Sequence, residues 1–95
     1  MIYSVSYVPS FFNNLLEIEN YYRVNESDSR AEKVLLSITK ELERIIKKPF
    51  EFPVYEKSTN ICIRRAVVHS TFIILFEIIG NQILVLDIYH GKQDM

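Results

Sequence analysis

The apolar positions along the chain change period twice. Residues 2–8, Ile-Tyr-Ser-Val-Ser-Tyr-Val, put Tyr3, Val5 and Tyr7 on one side and Ser4 and Ser6 on the other, the two-residue period of a strand. Pro9 and Ser10 interrupt that pattern and suit the first turn of a helix. From there Phe11, Leu15, Ile18 and Tyr22 recur at helical spacing with Phe12 and Leu16 beside them, so one face is expected to be buried. Residues 23–28 are polar and predict a short connection. Ser29-Arg30-Ala31-Glu32 fits a capping box, in which the hydroxyl and the carboxylate each satisfy an orphan amide at a helix start. A second helix is predicted from here to about Lys47. Ala31, Val34, Leu35, Ile38, Leu42, Ile45 and Ile46 cover one face, and Pro49 ends it. Opposite them Arg30, Lys33, Ser37, Lys40, Arg44 and Lys47 form a cationic stripe, the pattern of a solvated face.

Residues 49–60 carry two prolines and a polar end and predict a loop. Its Phe50, Phe52, Val54 and Tyr55 are apolar enough to be expected against the helices or a sheet edge. Beyond it the chain turns β-branched and aromatic. Ile61–Val68, Thr71–Ile79 and Gln82–Tyr89 predict three strands, with turns at His69-Ser70 and Gly80-Asn81. The resulting order, β-α-α-β-β-β, predicts an α+β domain: a helical hairpin packed on one face of a mainly antiparallel four-stranded sheet.

Strict alternation through the last two strands raises a question of burial. It puts Phe72, Ile74, Phe76 and Ile78 on one face of the first, against Ile73, Leu75 and Glu77. On the second it sets Leu84, Leu86 and Ile88 against Ile83, Val85, Asp87 and Tyr89. Two helices cover one face of a sheet. The face bearing Ile73, Leu75, Ile83 and Val85, with Glu77 and Asp87 toward its edge, is therefore expected to be an apolar surface awaiting a partner, or a second copy in a homodimer.

Composition narrows the field. Ninety-five residues suit one domain, and 48% hydrophobic with 24% charged residues is ordinary for a globular chain. The single cysteine, Cys62, excludes a disulfide framework and a Cys-rich zinc site, and reads as a small buried hydrophobe. Glu17 and Glu19, like Glu41 and Glu43, are two apart on a helix and cannot face each other as a carboxylate dyad. No metal or cofactor site is expected. No apolar run approaches the length of a spanning helix and no signal peptide is evident, so a cytoplasmic setting is expected, with no membrane partner. The net charge of −1 and pI near 6.1 exclude a globally basic surface. The charge is segregated all the same: residues 1–29 are net −3 and residues 30–48 net +3.

Arg64 and Arg65 point to opposite faces of their strand, and one of them is available to a target site. His90, closing the last strand, has the titration range of a general acid. His69 falls in a turn and is expected to be exposed.

The whole pattern resembles the RelE/ParE superfamily of bacterial type II toxins. The resemblance is carried by Tyr3-Ser4-Val5-Ser6-Tyr7, Arg30-Ala31-Glu32-Lys33, Ile63-Arg64-Arg65, the strand Phe72 to Phe76, Gly80-Asn81 and the closing His90-Gly91-Lys92-Gln93-Asp94. It is nearest the ParE-like, or plasmid stabilisation, branch. The resemblance implies a toxin neutralised by a cognate antitoxin and acting on DNA gyrase by binding. The alternatives are a RelE-like ribosome-dependent mRNA endonuclease, with Arg64, His90 and Lys92 as its catalytic residues, and a degenerate non-toxic binding module. The superfamily's nuclease pattern has cations where this chain has Ile73 and Gln93. That favours binding over RNA cleavage.

Overall fold

The computed structural model describes residues 3–91. The elements are β1 (Ser4–Tyr7), α1 (Pro9–Asn25), α2 (Asp28–Lys47), a 3-10 turn (Pro49–Glu51), β2 (Val54–Lys57), β3 (Cys62–Val68), β4 (Phe72–Ile79) and β5 (Gln82–His90). One sheet runs in the order β1-β5-β4-β3-β2. It is antiparallel apart from the β1–β5 pair, which is parallel. The helical hairpin lies across one face, and Phe11, Ile38, Ile45, Ile74, Phe76, Ile83 and Ile88 fill the space between.

The expected helix-on-sheet arrangement is present, with five strands instead of four. The extra strand, β2, comes from the stretch expected to be a loop. Pro49 stops α2 and the 3-10 turn redirects the chain onto the edge of β3. Edge strands tolerate neighbouring prolines because one side of their backbone needs no partner. Of the four apolar residues expected to pack, Phe52 does so, meeting Phe76 edge-on at 5.7 Å between ring centroids. Phe50 and Val54 remain 61% and 46% exposed.

The helix boundaries also moved. α1 continues through Arg23, and the amides of Glu26 and Ser27 both close on the carbonyl of Tyr22 at 2.9 Å. Ser27 is therefore the first extended residue available to cap α2, and its Oγ accepts from the Arg30 amide at 3.0 Å. Ser29, expected as the cap, sits inside the first turn. Arg23 ties the two helices together, reaching Glu19 at 2.7 Å and Asp28 at 3.1 Å. Its hydrogen bond to Glu19, then that to Asp28, holds the guanidinium above the ordinary arginine range.

The largest correction concerns β5. Phe76 pairs with Val85 but Leu75 pairs with Asp87, so Leu86 is an extra residue, a β-bulge. The bulge inverts the phase between the two ends of the strand. Ile83 and Val85 lie opposite Ile78 and Phe76, and Ile88 and His90 lie opposite Ile74 and Phe72; all share the helix-covered face. Ile83 and Val85 are 0% and 1% exposed. They belong to the core and not to the partner surface expected of them. Strict alternation fails because the run Ile-Leu-Val-Leu is apolar at every position and so carries no phase of its own.

Ile73, Leu75 and Glu77 do point away from the helices, but that face is not bare. The hydroxyls of Tyr55 on β2 and Tyr89 on β5 approach to 3.5 Å. Those strands are about 14 Å apart at three strand spacings. Both phenol rings must reach inward over the sheet to meet. Ile73 beneath them is only 8% exposed.

Candidate partner-binding site

Exposed large apolar side chains are scattered over the described residues, at Leu36, Phe50, Val67 and Ile79 among others, and α1 carries several of them along one helix. Phe12 and Leu16, one turn apart, are 49% and 62% exposed, and Tyr21 is 57% exposed. Phe12 is held in place by Tyr7 and Phe11, whose ring centroids lie 5.3 and 5.6 Å away. This helix is apolar on two sides. One side buries Phe11 and Tyr22, and the other is open to a partner.

α1 runs beside a stretch of unpaired sheet edge. β1 pairs only with Gln82 to Val85. Beyond that point no strand flanks β5 on this side, and α1 supplies isolated side-chain contacts instead. Ser10 Oγ donates to the Leu86 carbonyl, and Asn14 Nδ2 donates to the Asp87 carboxylate, which also accepts from the Ile88 amide. Asp87 is thus engaged by α1 and its own backbone, and is not the free edge charge expected from the sequence. Between helix and strand opens a cleft of about 630 Å³, with Glu17, Tyr21, Tyr22 and Glu26 on one wall and Ile88, Tyr89 and His90 on the other. Its combination of carboxylates and phenols favours a partner with basic side chains.

The residues expected to do chemistry do not converge. Arg64 Nη1 donates to the Phe52 carbonyl at 2.7 Å, and the guanidinium lies 5.2 Å from the centroid of Phe50. It anchors the segment between α2 and β2. His90 packs edge-on against Phe72 at 5.6 Å. Arg64 is opposite Phe76 and His90 opposite Phe72, four residues apart along β4, which is about 13 Å along the strand alone. Lys92 lies outside the described residues. The sequence did not signal the burial of Glu41, which sits in the apolar stripe of α2 and is bonded to Arg44 at 2.6 Å. Sequence reasoning also missed the outward apolar residues of α1. Their signal was the presence of Phe12 and Leu16 next to an already sufficient buried stripe. Cys62 is half-buried, and no group of three metal-ligating side chains occurs among the described residues. No helix among them is long and apolar enough to cross a membrane.

A helical hairpin on this five-stranded mixed sheet is the fold of the RelE/ParE toxin superfamily. The profile of the "ParE toxin of type II toxin-antitoxin system, parDE" matches residues 5–95, and the chain belongs to that family. Among solved structures it is similar to a chain of a chromosomal ParDE toxin–antitoxin system from P. aeruginosa. The TM-score is 0.78 at 17% identity, covering 94% of this chain and 96% of that one. It is also similar to a chain of the RelBE2 toxin–antitoxin complex from Mycobacterium tuberculosis, with TM-score 0.63, 13% identity and 95% and 99% coverage. A third is a conserved hypothetical protein from Helicobacter pylori, with TM-score 0.57, 13% identity and 97% coverage of both. No curated protein matches it by sequence.

Proposed function

We propose that this ParE-type toxin acts in the cytoplasm by binding a protein target, DNA gyrase, and that a cognate antitoxin restrains it by occupying α1 and the adjoining edge of β5. The observation that carries the first part is the engagement of Arg64. A cation that stabilises a scissile phosphate must be free to meet it, whereas Arg64 holds the Phe52 carbonyl and covers Phe50. Position 73, where a nuclease of this superfamily has a cation, is an isoleucine turned from the helices beneath a tyrosine pair. Binding requires a surface, and the exposed aromatic and aliphatic residues of α1 supply one.

The test is induction of the chain alone in a bacterial host, with gyrase supercoiling and mRNA integrity followed together. Loss of supercoiling with intact mRNA is expected. Cuts in mRNA at the ribosomal A site that disappear in Arg64→Ala would establish the endonuclease instead, and normal growth would establish a non-toxic binding module.

The antitoxin surface makes a separate prediction. Leu16→Lys is expected to weaken antitoxin binding about tenfold or more, because truncating or charging an interface anchor typically costs ~2 kcal/mol. Leu75→Lys, on the face crossed by Tyr55 and Tyr89, is expected to cost less. Calorimetry of the two variants decides, and a larger loss at Leu75 would return the antitoxin to the face of Ile73, Leu75 and Glu77.

A further inference from the structure

Tyr22 and Phe72 form a wall with a cleft on each side. On one side lies the acidic cleft between α1 and β5. The one behind the wall, of about 350 Å³, has the opposite sign. Arg30, Lys33 and Ser37 line it from α2, and His69 and Thr71 from the turn between β3 and β4. No carboxylate lines it, although the chain as a whole is net negative.

Each cationic group is positioned by something else. Arg30 lies over the Tyr22 ring at 5.8 Å, and its Nε faces Glu26 at 3.5 Å. The guanidinium otherwise lines the cleft. The Lys33 ammonium is without an ion pair among the described residues. His69 and Ser70 adopt φ angles of 52° and 58°, left-handed conformations in two successive residues with side chains. A turn of that shape ordinarily takes Asn-Gly. Here it is closed by the Thr71 amide on the Val68 carbonyl at 2.9 Å and by Thr71 Oγ1 on the His69 carbonyl at 3.0 Å. The conformation brings the His69 ring back onto α2, with Nε2 3.0 Å from Ser37 Oγ. The Ser37 hydroxyl already donates to the Lys33 carbonyl, so at His69 it accepts. The proton is thereby assigned to Nε2.

We propose that this cleft is a binding site for a phosphate monoester or free phosphate dianion. The Arg30 fork and the Lys33 ammonium supply two charge-assisted contacts, and the His69 ring, held on Ser37, closes the third side of the cleft. Two fixed cations and no lining carboxylate fit a dianion better than the single charge of a phosphodiester. On that ground we assign the site to a terminal phosphate, as on inorganic phosphate or a mononucleotide, and not to a nucleic-acid backbone.

The test is amide chemical-shift titration of the full chain at constant ionic strength, using inorganic phosphate, a nucleoside 5′-monophosphate and dimethyl phosphate. Phosphate and the monophosphate are expected to give saturable shifts centred on Lys33, Ser37 and His69, and dimethyl phosphate to bind about tenfold more weakly or worse. Lys33→Glu is expected to reduce phosphate affinity about tenfold, and Lys40→Glu, on the same exposed stripe but outside the cleft, to leave it within about twofold. Both lysines are exposed, so neither change threatens the fold. Saturable shifts at these residues for phosphate but not the monophosphate confine the site to free phosphate. Non-saturating shifts, or equal loss in Lys33→Glu and Lys40→Glu, would reduce the cleft to general charge screening and overturn the proposal. Equal affinity for dimethyl phosphate would overturn the dianion assignment.

Discussion

Phe76→Ala should cost about 3–5 kcal/mol of folding stability, the range for removing a fully buried aromatic ring from a close-packed core. Phe76 is 0% exposed, sits at the centre of the sheet between Arg64 of β3 and Val85 of β5, and supports Phe52 edge-on. The cavity cannot close easily. Sheet pairing fixes Phe76 from both sides, and Phe52 is itself covered by the Arg44 guanidinium at 5.3 Å. Domains of this size are stable by only about 5–15 kcal/mol, so much of the total is at stake. The thermal midpoint should fall by at least about 12 °C, since 1 kcal/mol moves it by roughly 4–8 °C at this length. A fall of only a few degrees in a calorimetric scan would show that the helices re-pack over the gap.

A pair of substitutions on β5 tests the bulge. Val85→Asp places a carboxylate in the apolar cluster that holds Phe76, Ile83 and the buried faces of α1 and α2. Burying an unpaired charge costs more than most small domains can supply, and the variant should be recovered unfolded or insoluble. Leu84→Asp, one position away, lies opposite Glu77 on the other face and should fold with a modest loss from like-charge repulsion. Circular dichroism and soluble yield report both. Were Leu84→Asp the lethal change and Val85→Asp the mild one, β5 would run in the opposite phase.

These experiments mark where the sequence was informative. The helices were legible because polar and apolar residues separate cleanly at helical spacing on α2, and the order of elements followed from the change to β-branched composition after residue 60. β2 was hidden by its shortness and by Pro49 and Pro53, which read as loop punctuation although an edge strand accommodates them. The bulge was hidden because Leu86 is chemically the same as its neighbours. The register was decided by β4, whose contrast between Phe76 and Glu77 is a tertiary signal. The sites were less legible still. Arg64 bonds to a main-chain carbonyl, which no residue type announces. The two clefts of opposite sign exist because Tyr22 of α1 meets Phe72 of β4 at 6.2 Å, a contact across fifty residues of chain.

The parallel pairing of β1 with β5 has a consequence for how the chain is made. Ser4 is registered with Gln82, so the first strand of the sheet has no partner until the last is synthesised. At translation rates of about 5–20 residues per second, those 78 positions correspond to a wait of roughly 4 to 16 s. The helical hairpin, built from local contacts, forms in microseconds to milliseconds once Lys47 is made, and waits out the rest of that interval for β5 to complete its sheet. The nascent chain therefore carries Phe11 and Tyr22 uncovered on one side of α1 while Phe12 and Leu16 are open on the other. Pairing of β1 with β5 is the longest-range closure in the sheet, the kind of contact that slows folding, and it becomes possible only after β5 has left the ribosome.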